Sequence, residues 1–142
     1  MTRRMIQTAA LASAILLSAC GSDDGDAGDE DKGSAPAIEQ LSFDPQNVQA
    51  GKQSVLTGKF AFHDADSDAD RFAAAIVLPD GSRQSLPPTK TQGTVGRASG
   101  QVEFLMAVAP PVAGNYTIEV WMVDAADNES NHLDGSLDAT TN

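Results

Sequence analysis

The sequence has few cations, few aromatic residues and a single cysteine, and each scarcity excludes a class of protein. Nine Lys and Arg residues stand against 20 Asp and Glu residues, so the net charge of the 142-residue chain is -11. Such a charge repels phosphate groups, and we therefore predict no nucleic-acid partner. One cysteine excludes an internal disulfide and a zinc cluster built on several cysteines. The five Phe, one Tyr and one Trp all follow residue 42, which predicts the hydrophobic core there.

The first twenty residues have the layout of a secretory signal peptide. Arg3 and Arg4 form a basic start, an apolar stretch runs from Ile6 to Leu17, and small residues precede Cys20. The apolar stretch is shorter than the roughly 20 residues that a membrane span needs. We therefore predict a cleaved signal peptide over residues 1–19.

The end of this segment, Leu17-Ser18-Ala19-Cys20, resembles the lipobox of bacterial lipoproteins. The resemblance implies that a diacylglyceryl group modifies Cys20, that the signal is cut just before it, and that the new amino terminus is acylated, for example with palmitate. The alternative is a plain signal peptide with a cysteine near its end by chance. In some lipoproteins an Asp after the cysteine is associated with retention at the inner membrane. Gly21 stands there instead, so the prediction is an exported protein anchored to the outer membrane.

Residues 20–36 are predicted to be the lipidated cysteine and an acidic, disordered tether. The stretch from Gly21 to Pro36 contains six acidic residues, four glycines and no aromatic or β-branched residue. This composition buries too little apolar surface to offset the entropy lost on ordering. A mere spacer is one interpretation of the acidic run, and a surface-export signal is the other.

Residues 37–142 show the period-two alternation and the turn residues of an all-β domain. In the segment 53–63, for example, Leu56, Phe60 and Phe62 fall on one face. The segment 71–78 contains three alanines, but its length and the following Pro79-Asp80-Gly81 favour a strand over a helix. About seven strands are predicted, over residues 38–43 with a continuation at 47–50, then 53–63, 71–78, 82–86, 101–108, 115–123 and 130–138. This number of strands in about 100 residues is typical of an immunoglobulin-like (Ig-like) β-sandwich.

The later part of the domain strengthens that assignment. Ala113-Gly114-Asn115-Tyr116 and the loop from Asp124 to Ser130 resemble bacterial Ig-like, fibronectin-III-like or cadherin-like domains. The resemblance implies the sandwich fold and says little about function. Asp127 stands where those loops often carry glycine.

Acidic loops are the predicted metal site. Asp64, Asp66, Asp68 and Asp70 alternate in one loop, and a second loop contains Asp124, Asp127 and Asn128. The topology of an Ig-like sandwich brings these loops to one end. Calcium prefers clustered oxygen ligands, and cadherin-like domains bind calcium at such an end. The alternative is a pair of solvated turns in which Asp and Asn bond their own backbone, with no cofactor.

Trp121 is the predicted ligand-binding residue, because it points away from the core. It is either an exposed aromatic anchor or a cover over the small side chains of Ala73 and Ala75. We predict no catalytic residues, since His63 and His132 belong to no recognisable catalytic motif. The predicted function is non-catalytic binding, display or adhesion at the envelope, with a protein or glycan ligand. The alternatives are an assembly subunit of an envelope complex and, last, a hydrolytic enzyme.

Overall fold

The computed structural model describes residues 33–141, and the predicted signal peptide, Cys20 and most of the tether lie outside them. Nine strands are present in this part of the chain. They are β1 (Ala37–Asp44), β2 (Asn47–Gln49), β3 (Ser54–His63), β4 (Ala69–Val77), β5 (Arg83–Ser85), β6 (Thr89–Lys90), β7 (Ser99–Val108), β8 (Gly114–Asp124) and β9 (Leu133–Thr140). Within residues 33–141 no helix is long and apolar enough to cross a membrane.

The strands form two sheets, which confirms the predicted all-β sandwich. The smaller sheet has the order β1-β3-β7, and the larger has the order β2-β9-β8-β4-β5, with β6 also paired to β4. β1–β3, β3–β7, β4–β8 and β8–β9 are all antiparallel pairs. The sheets pack face to face and bury the inward side of the long strands.

The core follows the predicted alternation. Leu56 and Phe60 of β3 are fully buried, as are Ile118, Val120 and Met122 of β8. Phe104 of β7 stacks on Phe72 of β4, with ring centroids 4.8 Å apart, and this contact joins the two sheets.

The segment 47–50 differs from the prediction, because β2 does not continue β1 in its sheet. It crosses to the larger sheet and pairs parallel to β9, with Val48 opposite Ala139. The Asp138 N–H donates to the Gln46 carbonyl at 2.8 Å, and the Ala50 N–H donates to the Thr140 carbonyl at 2.9 Å. The pairing with β2 covers an edge of β9 that would otherwise be open.

The turn after β4 is confirmed. Gly81 has a φ of +85° and its N–H donates to the Leu78 carbonyl. Asp80 accepts hydrogen bonds from the backbone and hydroxyl of Ser82. Glycine is needed at this position because other residues adopt positive φ at a cost.

Candidate functional site

The β3–β4 loop is built around the buried carboxylate of Asp64. One carboxylate oxygen accepts the N–H of Asp68 at 2.8 Å and the N–H of Ala69 at 2.7 Å, and the other accepts the N–H of Asp66 at 3.3 Å. Asp64 is only 1% exposed. Its charge is therefore compensated by backbone donors, as expected for an Asx-type turn.

Asp68 in the same loop lacks such compensation. Its Oδ1 atom is buried and has no hydrogen-bond donor within residues 33–141. Burial raises the pKa of Asp68, and the charges of Asp124, Asp64 and Asp66 raise it further. An oxygen in this position favours a nearby cation.

Asp66 lies on the exposed side of the loop and contacts the residues that precede β1. Its Oδ2 accepts hydrogen bonds from both the backbone N–H and the hydroxyl of Ser34. The backbone hydrogen bond lowers the pKa of Asp66, and the hydroxyl lowers it further. The end of the predicted tether that the structure describes is thus fastened to the acidic loop.

The β8–β9 loop repeats the arrangement around Asp124. This fully buried carboxylate accepts the N–H of Ala126 at 2.9 Å, the N–H of Asn128 at 2.7 Å and the side-chain amide of Asn128 at 2.7 Å. Asp127 adopts a φ of +68°, so it fills the position of the expected glycine in the left-handed conformation that Asp tolerates.

The two acidic loops meet, as the topology predicted. The N–H of Ala125 donates to the Asp68 carbonyl at 3.1 Å, and Ala69 faces Asp124 in the β4–β8 ladder. Asp70 is an extra residue in that ladder, where the register shifts between Ala69 and Arg71. Such a bulge turns the end of the strand toward the neighbouring loop.

A third segment, residues 91–98, braces the β3–β4 loop from the side. The N–H of Gly96 donates to the Ser67 carbonyl at 2.6 Å, and the Asp64 N–H donates to the Ala98 carbonyl at 2.8 Å. The buried hydroxyl of Thr94 donates to the Ala69 carbonyl at 2.7 Å. The loop backbone is therefore held on several sides, which fixes the carboxylates in place.

Three of the seven predicted metal ligands come together. One carboxylate oxygen from each of Asp64, Asp66 and Asp68 lies within 4.8 Å of the others. The remaining four lie outside this group. Asp70 and Asp127 form ion pairs with Arg71, Asp70 also lies 3.9 Å from Lys90, and Asp124 and Asn128 bond each other. The described geometry thus narrows the candidate set to the β3–β4 loop, and calcium binding stays a prediction.

Trp121 adopts the second predicted arrangement and covers the alanines. It is 8% exposed and forms a small cluster with Ala73, Ala75 and Val123 on the outer face of the larger sheet. The ring of His132 stacks on it at 4.5 Å with an interplanar angle of 8°. The side chain of Trp121 is therefore covered and is not an exposed anchor. A role of Trp121 in ligand binding stays a prediction.

Several residues of these sites had no signal strong enough to be singled out from the sequence. Ser34 and Thr94 reach the β3–β4 loop from distant segments, and Arg71 of β4 reaches Asp127 of the β8–β9 loop. No local motif marks these three residues. Glu119 carried a weak signal, because it lies two residues before Trp121 in an alternating strand and so shares its face. Its carboxylate bonds both Arg83 and His132.

No protein-family model matches the chain, and no curated protein is similar to it in sequence. Among solved structures, a Niemann-Pick type C2 protein from the Japanese carpenter ant is similar with a TM-score of 0.52 at 9% identity, covering 76% of this chain and 95% of that one. A PKD domain of an M14-like peptidase from a Thermoplasmatales archaeon has a TM-score of 0.45 at 20% identity, covering 77% of this chain and 97% of that one. A superoxide reductase from Ignicoccus hospitalis has a TM-score of 0.46 at 13% identity, covering 75% and 80%. The first of these likenesses supports the β-sandwich fold.

Proposed function

We propose that the chain is a membrane-anchored bacterial envelope lipoprotein whose β-sandwich is a non-catalytic binding or display domain, stabilised by calcium in the β3–β4 loop. The buried Oδ1 of Asp68, without a donor in the described residues and beside two further carboxylates, is the observation that carries the calcium assignment. The sequence Leu17-Ser18-Ala19-Cys20 carries the anchor.

The donor set fits a hard cation. Asp64, Asp66 and Asp68 offer only oxygen atoms, which calcium and magnesium prefer over softer metals. Calcium takes six to eight oxygens, so backbone carbonyls or water would complete its shell. A cation here would neutralise the repulsion that raises the pKa of Asp68.

Thermal unfolding with and without calcium tests this proposal. Extracellular calcium modules have dissociation constants of about 0.1–1 mM, so about 10 mM calcium should stabilise the native state by roughly 1.4–2.7 kcal/mol. For a domain of this size, that corresponds to a rise in Tm of about 5–12 °C over the value in chelator.

Two variants sharpen the experiment. Asp68→Asn should abolish the calcium response, while Asp134→Asn, which changes an exposed acid on β9, should keep it. An unchanged Tm of the parent protein on adding calcium would reject the calcium site. Equal calcium responses of the parent and Asp68→Asn would reject the role of Asp68.

The anchor is tested separately. Cys20→Ser removes the thiol that lipidation requires, so this variant should leave the detergent phase in which the parent partitions. Mass analysis of the parent should show a lipidated amino-terminal cysteine at residue 20. An unmodified thiol on an uncleaved leader would reject the anchor and leave the calcium experiment unaffected.

The placement of the histidines supports a non-catalytic domain. His132 already bonds Glu119 and stacks on Trp121, and His63 lies exposed at the end of β3. A catalytic histidine instead bonds a nucleophile or faces a substrate.

The assembly subunit remains the second candidate, and one surface favours it. β7 is an edge strand ten residues long, and Leu105 on it is 73% exposed. Beside it lies a cavity of about 590 Å³, lined in part by Phe72, Phe104 and Leu105. Exposed edges pair readily with strands of other proteins. A pull-down from solubilised membranes separates the candidates, since a stable protein complex favours assembly and retention on peptide or glycan favours display.

A further inference from the structure

The outer face of the larger sheet carries a cluster of charged and aromatic side chains, the Trp121 cluster, formed by Trp121, His132, Glu119, Arg83 and Glu129. The imidazole of His132 lies parallel to the indole with centroids 4.5 Å apart. The guanidinium carbon of Arg83 lies 5.2 Å from the indole centroid. The cluster joins three separate elements, because these residues come from β8, β5 and the β8–β9 loop.

Carboxylates face both nitrogen atoms of His132. Its Nδ1 lies 2.8 Å from one oxygen of Glu119, and its Nε2 lies 3.7 Å from Glu129. The other oxygen of Glu119 pairs with Arg83 at 2.7 Å, and Asp134 of β9 stands opposite Glu119 in the ladder. Glu119 and Glu129 thus face the imidazole directly, while Arg83 and Asp134 lie beside Glu119 on the neighbouring strands.

The balance of forces depends on whether the imidazole carries a proton on both nitrogens. A neutral ring donates one hydrogen bond, and with its proton on Nδ1 its lone pair on Nε2 faces the Glu129 carboxylate. A protonated ring donates from both nitrogens and places a positive charge against the indole face. Protonation therefore replaces one repulsive contact with two attractive ones.

Glu119 keeps its charge over the relevant range of pH. The hydrogen bond from His132 lowers the pKa of Glu119, and Arg83 lowers it further. A lowered carboxyl pKa means that the ionised form persists to more acidic pH, below the range of about pH 5–8 in which histidines change charge. The acceptor is consequently present whenever the histidine is charged.

We propose that protonation of His132 fastens the end of the β8–β9 loop to the outer face of the larger sheet, so that this loop is held more tightly in acid than at neutral pH. His132 is the last loop residue before β9. The other end of the loop is fixed by Asp124, which does not contact His132 in the described structure. The histidine is therefore the side chain through which pH acts on the loop.

The intrinsic fluorescence of the protein reports the first step, because Trp121 is the sole tryptophan. A protonated imidazole stacked on an indole quenches its emission. Emission should therefore fall as the pH is lowered from 8 to 5. His132→Gln should abolish the change, and His63→Gln, which removes the other histidine of the chain, should retain it.

Hydrogen exchange reports the second step. The Ser130 N–H donates to the Met122 carbonyl at 2.9 Å and opens only when the loop leaves the sheet. After correction for intrinsic pH dependence, its exchange should be about fivefold slower at pH 5 than at pH 8, from one cation–π contact and one exposed ion pair. Glu129→Gln should keep the fluorescence change and reduce the gain in protection.

Three outcomes would overturn the proposal. The first is constant emission of the parent protein between pH 8 and 5. The second is the same pH dependence of emission in the parent and in His132→Gln. The third is an emission change without any slowing of hydrogen exchange at Ser130. Far-ultraviolet circular dichroism of each variant shows that it is folded before the comparison is made.

Discussion

Replacing Asp64 by Asn tests whether the β3–β4 loop depends on a charged cap. The carboxylate accepts three backbone N–H groups and is 1% exposed. Asn preserves the volume, but it has one acceptor oxygen instead of two and no charge. Its NH₂ group must then face at least one of the loop N–H donors.

The expected cost follows from these contacts. Hydrogen bonds to charged groups contribute about 1.5–3 kcal/mol, neutral ones about 0.5–1.5 kcal/mol, and a buried donor without a partner costs about 1–3 kcal/mol. Loss of one bond and weakening of two should lower the free energy of unfolding by about 2–3 kcal/mol. The corresponding fall in Tm is about 10 °C.

Thermal unfolding in chelator measures this cap without any contribution from calcium. Asp80→Asn is the matched control, because Asp80 accepts similar hydrogen bonds from Ser82 in an exposed turn. Its Tm should change far less. If Asp64→Asn unfolds within about 2 °C of the parent, or no earlier than Asp80→Asn, the buried cap does not stabilise the loop as argued.

Two further predictions concern pH and packing. The pKa of Asp68 is raised in the folded state. At pH values between the ordinary and the raised pKa, the folded protein therefore binds more protons than the unfolded chain. The contribution of Asp68 to stability is consequently lost as the pH rises through this range. In chelator at pH 7, Asp68→Asn should therefore unfold at a higher temperature than the parent, with the advantage disappearing at acidic pH; a lower Tm at neutral pH would contradict this sign. Gly58→Ala should lower the unfolding free energy by about 1–3 kcal/mol in urea titrations, because a Cβ at residue 58 would overlap the ring of Phe104. An unchanged urea midpoint would show that the ring can move aside.

The sequence predicted the inward faces of β3 and β7 because each of these strands is buried on one side. Leu56 and Phe60 in β3, and Val102 and Met106 in β7, alternate with exposed residues, and the structure buries them. The same signal was too short in β2. A three-residue strand with one buried residue, Val48, has a pattern that fits either sheet. β2 pairs with β9 because that strand has an open edge. The alternation within β2 does not indicate which edge is available.

The acidic loops were predictable in place but not in internal arrangement. The order of the strands brings the two loops together, and this needed only the topology. Which carboxylate becomes a cap depends on the direction of backbone N–H groups, and alternating Asp residues look equivalent in the sequence. Likewise, the outward direction of Trp121 followed from the alternation along β8. The side chains that lie over its ring, His132 and Arg83, come from other segments of the chain, which this alternation does not indicate.

The contrast between Asp64, Asp124 and Asp68 carries the case for a cation. The first two are buried carboxylates whose charge is met by several N–H donors, so each stabilises its loop without any ligand. Asp68 lies within reach of both charges, and its buried oxygen has no donor in residues 33–141. For folding alone an uncharged isostere at this position would be better, because it would remove the repulsion. A positive charge in the loop would offset this repulsion. An Asp68→Asn substitution that stabilises the protein in chelator and also removes the calcium response would therefore be the strongest single result in favour of the site.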